Sequence, residues 1–312
     1  MERKPFFKKK RIGILGTAKG SHVQTMSIVL QGLGAEITLV DPKRLTSFLP
    51  QCSTVFAESD GLVTNLEDLD ALVVRSLPGG SLEQVIYRVN VLHHLEILGL
   101  KVINNASLIE KTVDKFFTTA LLANAGLPVP KTIVTERFDQ AIEAVRQIGA
   151  VVVKPVFGSL GKGIVLVEDP DIAHRVFRAL EMGRYIYYLQ EFLPNGNEDL
   201  RLFVVGGQVV GAMRRRGQNW KTNIACGSTA ETYKPEKEIA QLAIRTANIL
   251  KADYLGVDIL ISNGTPYVIE ANGIPGWTGL QSVTEADIAG ILAEYILAEI
   301  KKHEYRNKKQ GV

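Results

Sequence analysis

At 312 residues the chain is long for a single core, and 46% apolar with 22% charged residues is ordinary soluble-globular composition. A net charge of +3, much of it in the ends, is too small to point to nucleic acid, and two cysteines, Cys52 and Cys226, cannot make a disulfide framework or a zinc site. No apolar run approaches the roughly 18 residues of a membrane span, and the basic start runs straight into a short glycine-bound strand, so a cytoplasmic protein is expected.

Arg11 to Gly16 reads as a buried strand followed by a helix from about Ser21 to Leu33. Ala35 to Asp41 and Asp70 to Ser76 repeat the apolar strand texture. Ser81 to Gly99 places apolar residues at helical spacing until Gly99 stops it, and Lys101 to Asn105 is a fourth strand. Strand, helix, strand in this order predicts a small parallel α/β unit over residues 1–105. Its first turn, Gly-Thr-Ala-Lys-Gly-Ser, is not G-x-G-x-x-G, which favours a structural Rossmann-like layer over a dinucleotide site.

From Asn105 the texture changes. Ser107 to Gly126 reads as one helix, followed by a proline-bracketed strand entry at Pro128 and Pro130. Strands at Lys131–Thr135, Val151–Pro155, Gly163–Asp169 and Tyr185–Leu193, with helices at Phe138–Gly149 and Asp171–Gly183, complete a unit of residues 106–189. The remainder, 190–312, is largely hairpin. Leu200–Arg216 turns at Gly206–Gly207, a strong two-residue signal. A helix over 238–252 precedes a second hairpin, Leu255–Asn272, and a helix from Ala286 closes the chain.

Two of these segments carry chemistry. In the first, Gly158, Gly161 and Gly163 let backbone N–H groups approach an anion. The loop lies between strands and lacks Gly-Lys-Ser/Thr, so it is no Walker A loop. A glycine-rich hairpin without a ligand would read the same way, and Lys154 tips the balance, because a lysine within an apolar strand needs a charged partner. In the second segment Glu270 and Asn272 share a strand face as hard oxygen donors. A regular two-residue turn at Asn263–Gly264 would pair Asp258 with Ile269. For Asp258 to join Glu270 the hairpin therefore needs a bulge or a three-residue loop. Between these segments, Gln190 to Leu193 ends a strand as a hinge receiving an adenine would, and Asp199 and Arg201 share a face of the next strand. Arg214, Arg215 and Arg216 read first as a solvated run, with one free to turn inward to a phosphate.

Lys115, VVKPVFGSLGKGI, QEF, DLRLFVVGGQVVGAMRR, WKTN, GVDIL and IEAN together resemble the ATP-grasp fold, and within it the RimK-type α-L-glutamate ligases, over about residues 100 to 290. The resemblance implies an α/β (α+β) chain, an ATP-grasp fold preceded by the Rossmann-like domain. It implies that Lys115 and Lys154 contact the triphosphate and the adenine side, and that Gly158, Ser159, Gly161 and Gly163 cradle phosphate. Gln190, Glu191 and Phe192 would hold adenine, Asp199 would sit near the ribose or substrate, and Lys221, Thr222 and Asn223 would reach the phosphates. Asp258, Glu270 and Asn272 would hold two magnesium ions, with manganese as a substitute. Arg215, with Lys154 and Arg201, would stabilise a reacting acyl phosphate. The implied reaction is attack of a substrate carboxylate on the γ-phosphoryl group of ATP, followed by displacement of phosphate by the amine of L-glutamate. The implied partners are L-glutamate and a carboxylate-bearing small molecule, without nucleic acid or membrane; a homo-oligomer stays open.

Two departures stand out. Where the family has Arg-Gly-Gly after WKTN, this chain has Ile224-Ala225-Cys226-Gly227-Ser228. After Asn272, where many members have serine–proline and an acidic residue, it has GIPGWTGLQ. That loop, with LPGGSLEQVIYRVNVL, resembles the subset of tetrahydromethanopterin glutamate ligases. Trp277 reads equally as a platform for a planar acceptor or as a core anchor. Ligases acting on a protein C-terminus or a deazaflavin cofactor, an ATP-grasp small-molecule kinase and a non-catalytic ATP-binding module are the alternatives.

Overall fold

The computed structural model describes residues 9–49, 54–59, 61–158, 163–222 and 227–310. They form two compact units: Met1–Glu110 with Gly276–Thr278 and Asp287–Val312, and Lys111–Pro275 with Gly279–Ala286. The chain thus leaves the first unit and returns to it at the C-terminus, where the sequence suggested a continuous segment from 190.

The first unit begins with β1 (Arg11–Leu15), α1 (Ser21–Gly32) and β2 (Glu36–Val40). An unanticipated antiparallel sheet follows, made of β3 (Leu45–Phe48), β4 (Thr54–Ser59) and β5 (Leu62–Asn65). Then come β6 (Ala71–Val74), α2 (Leu82–Ile97) and β7 (Lys101–Ile103). The expected parallel layer is present, in the order β2-β1-β6-β7. Ile12, Ile14, Leu72 and Val73 are fully buried in it, the continuous apolar texture of a sheet covered on both faces. Ser81 starts α2 with a capping box completed by Gln84.

The single helix read from Ser107 to Gly126 is two, α3 (Ala106–Val113) and α4 (Lys115–Asn124). Asp114 makes the break. Its backbone is extended and its carboxylate accepts the Phe117 N–H at 2.9 Å, capping the second helix. Apolar periodicity continues through the junction, so the cap decides.

In the second unit β8 (Thr132–Thr135), α5 (Phe138–Ile148), β9 (Val151–Lys154), β10 (Val165–Val167), α6 (Pro170–Met182) and β11 (Tyr187–Glu191) build an antiparallel sheet ordered β10-β9-β11-β8. Helices α5 and α6 bury Val145 and Phe177 against Val153 and Leu189 of that sheet. The second sheet, β14-β13-β12-β15-β16, contains β12 (Glu198–Val205), β13 (Gln208–Arg216), β14 (Thr229–Thr232), β15 (Tyr254–Ser262) and β16 (Thr265–Asn272). Helix α7 (Lys237–Leu250) packs on it. Gly206 and Gly207 make the two-residue turn between β12 and β13, both at positive φ.

The short α8 (Thr278–Gln281) leads towards α9 (Ile288–Gln310), in the first unit, which packs on α1. Its Ile288, Leu292, Ile296 and Ile300, spaced by four, are fully buried. Among the described residues no helix is long and apolar enough to cross a membrane.

Candidate active site

A cleft lies between the two sheets of the second unit, lined by residues of both. Val152, Ile164, Phe192, Leu193, Leu260 and Ile269 give it an apolar slot, and Lys154, Gln190, Asp258 and Glu270 stand among its polar groups. The inner strand β9 sets Lys154, whose ammonium donates to Gln190 Oε1 at 2.5 Å. Gln190 in turn donates to Thr132 and to the Tyr188 hydroxyl, which meets Thr119 Oγ1 at 2.8 Å. Burial, partly offset by Glu270, brings the Lys154 amine down to about 8. Lys115, at the start of α4, donates to the Gly158 carbonyl at 2.7 Å; burial lowers it as well, against the pull of Glu270 and Asp114.

Charge in the opposite wall follows from strand register. Asp199 of β12 lies across from Arg215 of β13, and Arg201 of β12 lies across from Asp258 of β15. Arg215 forks onto Asp199 with two bonds of 2.6 Å and reaches Asp258 at 2.9 Å. Arg201 grips both oxygens of Asp258, and Thr222 donates to Asp199 at 2.7 Å. Two carboxylates and two guanidiniums thus form a largely buried chain, Asp199–Arg215–Asp258–Arg201. Burial opposes ionisation of Asp258, but Arg201 and Arg215 outweigh it and hold the carboxyl at about 2. Burial likewise opposes charge on Arg215, and Asp258 and Asp199 raise its pKa in spite of it. Arg214 and Arg216, flanking it, turn out to Glu198 and Glu231, as strand alternation requires.

The hairpin carries the bulge that a shared face demands. The Asn263–Gly264 turn is a two-residue one, both residues at positive φ, yet Asp258 pairs with Glu270 because Ile269 is an extra residue between Val268 and Glu270. Ile269 and Glu270, adjacent in sequence, consequently both line the cleft. Asn272 opposes Gly256, two positions from the Asp258–Glu270 pair and on the same face. Asp258, Glu270 and Asn272 thus supply two carboxylates and an amide to one face, a hard-oxygen set suited to magnesium, with Asp258 ionised at neutral pH. Among the described residues there is no cluster of three His, Cys, Asp or Glu side chains of metal-binding geometry, so an ion here would draw on the amide or on a ligand's oxygens.

A family model described as the RimK-like ATP-grasp domain matches residues 112–296, more than half of the chain. The chain belongs to the RimK-like ATP-grasp family. It is 36% identical over 243 residues to the tetrahydromethanopterin:alpha-L-glutamate ligase of Methanocaldococcus jannaschii, covering 76% of this chain and 82% of that one. It is 34% identical to the alpha-aminoadipate--LysW ligase LysX of Sulfurisphaera tokodaii, over 66% of this chain and 75% of that one. The ATP-grasp ligase PsnB complexed with minimal precursor, Mg and ADP has a TM-score of 0.72 at 24% identity, covering 93% of this chain and 97% of that one, a likeness of fold. This RimK-like chain is an ATP-dependent ligase forming amide-type C–N bonds, and its family binds ATP and magnesium.

Of the residues singled out from sequence, Lys154, Gln190, Glu191, Phe192, Asp199, Arg215, Lys221, Thr222, Asp258 and Glu270 line the one cleft. Gly163 is described, at φ +75°. Ser159, Gly161 and Asn223, with Cys226, lie outside the described residues. Arg201 shares the sheet face of Asp199 and Asp258 without lining the cleft itself, and is bound to Asp258. Trp220 went unremarked as an individual residue: it lines the cleft, set edge-on to Phe192 with the Lys221 ammonium 5.2 Å from its ring. Tyr188 and Thr132, which brace Gln190, were also missed, since the network joins β8, β11 and α4, which are far apart in sequence. Trp277 anchors its loop. It is 3% exposed, stacks on His22 with ring centroids 4.3 Å apart, and has the Arg75 guanidinium 4.5 Å from its ring. A buried ring so flanked offers no platform to an acceptor.

Proposed function

We propose that the protein adds L-glutamate to a carboxylate acceptor through an acyl phosphate, with tetrahydromethanopterin or a related one-carbon cofactor as the first acceptor to try. The observation that carries this reading is the arrangement of the cleft, in which a lysine of depressed basicity and the Asp258–Glu270 pair line one space. Relatives named as glutamate ligases supply the amino acid, and the M. jannaschii relative supplies the pterin.

In this reading the apolar slot takes the adenine, with Glu191 and Phe192 beside it, and Lys154 and Lys115 neutralise phosphate oxygens. Lys221 and Thr222, which also line the cleft, would reach the phosphates. Asp258, Glu270 and Asn272 would hold magnesium, two ions by analogy with the triphosphate's needs, and manganese would substitute. Bound there, the metal would neutralise charge on the transferring phosphoryl group. Arg215 holds a fixed positive charge at the wall where the acyl phosphate would develop, and the two aspartates keep that guanidinium from reorienting. The protein's part is positioning and charge stabilisation, with no covalent nucleophile.

The test is ADP release from purified protein supplied with Mg-ATP, glutamate and single acceptors: tetrahydromethanopterin, a folate, a deazaflavin cofactor and an acidic C-terminal peptide. Release that requires both glutamate and acceptor, with a product heavier by one glutamyl unit, supports the reading and names the acceptor. A phosphorylated acceptor formed without glutamate would make the protein a kinase instead.

A further inference from the structure

The lysine in the apolar strand β9 takes an amide for its hydrogen-bond partner, where the sequence called for a charged group: the Lys154 ammonium donates to Gln190 Oε1 at 2.5 Å. Strand register gathers the surrounding groups on one face. Tyr188 of β11 lies across from Lys154, and Gln190, two residues on, lies across from Thr132 of β8. Thr119 meets Tyr188 from α4, one turn after Lys115.

The protons of this network have one arrangement. An ammonium only donates, so the amide must turn its oxygen to Lys154. Its two N–H groups then face Thr132 Oγ1 at 3.3 Å and the Tyr188 hydroxyl at 3.4 Å. Thr132 spends its own proton on the Pro130 carbonyl, 2.8 Å away, and can only accept from Gln190. The Tyr188 proton is free for Thr119 Oγ1 at 2.8 Å. With the amide reversed, an N–H would meet the ammonium, and the carbonyl would meet a threonine with no proton left to give. Gln190 and Tyr188 are 3% and 1% exposed, so bulk water does not supply the missing partner. Both amide N–H groups are thus spent inside the wall, which leaves Gln190 no donor for a base. A neutral amide also takes one ammonium proton and none of its charge, so two N–H groups and the whole charge stay available to the cleft.

We propose that Gln190 is a positioning residue for Lys154, locked by Thr132 and Tyr188, and not a reader of the adenine. The use of this lock rests on the nucleotide reading of the cleft; its existence does not.

Mg-ADP titrated by calorimetry into full-length protein gives the test. Thr132→Val keeps the shape and removes the acceptor, and weakens Mg-ADP about fivefold, as the loss of one ordinary hydrogen bond does. Thr132→Ser, which keeps the oxygen and loses the methyl, restores the affinity. In a Lys154→Met chain the valine change has no further effect, because the group it positions is gone. An equal loss in both backgrounds, or tolerance of valine with a loss at serine, overturns the proposal. A second readout needs no nucleotide. In NMR spectra of the unliganded chain the Gln190 side-chain N–H pair exchanges slowly with solvent, and Thr132→Val speeds it. A fast pair in the native chain overturns the lock. A slow pair in a protein that binds no Mg-ADP would defeat the nucleotide reading and the role in positioning Lys154 for it, and leave the lock standing.

Discussion

Lys154 carries a proton linkage that can be read directly. Burial lowers its amine to about 8, with Glu270 and Asp258 pulling the other way. A polyphosphate beside the amine favours the charged form and raises its pKa on binding. Below about pH 7 the amine is charged in both states and nothing is exchanged; above about 8 the free protein lacks a proton that the complex keeps. Mg-ADP binding at pH 8.5 should therefore take up about half a proton or more, read from calorimetry in buffers of different ionisation enthalpy. Lys154→Met should abolish most of it, and an unchanged uptake would put the titrating group elsewhere. The chain Asp199–Arg215–Asp258–Arg201 behaves differently. Arg215→Gln strands buried Asp199, leaving it only Thr222, and should cost about 3–5 kcal/mol in urea unfolding. Arg201→Gln should cost less, because Asp258 keeps Arg215. Equal costs would mean that the two arginines share the load and that the register argument fails.

At the scale of elements, the bulged hairpin shows what pattern reading can reach. That Asp258 and Glu270 share a face only through an irregularity follows from counting residues between them and the Asn263–Gly264 turn. Which irregularity was not legible, because a bulge is chosen by packing of Ile269 and Leu260 on the cleft side. The break between α3 and α4 was missed for a related reason: one aspartate cap outweighs a continuous apolar period. The loop after β16 is fixed by contacts within the first unit that no local pattern announces. His22, in the first turn of α1, stacks on Trp277 and accepts its backbone N–H at 3.1 Å. Burial, and then Arg75, lower the imidazole to about 4. The unfolded chain takes its proton near 6.5, so this contribution is whole above that pH and is lost as pH falls towards 4. Discounted for solvent screening of a half-exposed ring, the loss amounts to about 1–2 kcal/mol over the window. Denaturant midpoints measured between pH 7 and 4 should fall accordingly for the native chain and stay flatter for His22→Phe. Parallel pH profiles would remove His22 as the cause.

For the molecule as a whole, the alternation of strands and helices sufficed for a parallel layer in the first unit and for hairpins near the end, since those periods are local, while the antiparallel order of the middle sheet was not readable. The return of the C-terminal helix to the first unit was not readable, because an apolar stripe of Ile288, Leu292, Ile296 and Ile300 tells that a helix is buried and not what buries it. That return has a thermodynamic consequence. The first unit is assembled from both ends of the chain, whereas the second, with the candidate active-site cleft, is nearly continuous, and each has its own buried core. Ligand linkage then acts on one unit at a time. Mg-ADP at 100 times its Kd should stabilise the second unit by about 2.7 kcal/mol and leave the first where it was. Leu292→Ala should do the reverse, lowering the first unit by about 2–5 kcal/mol for a fully buried leucine while sparing ADP affinity. Differential scanning calorimetry should resolve two transitions that respond separately to these two changes. A single transition moved by both would show that the units unfold as one, and that the helix closing the N-terminal core also supports the nucleotide site.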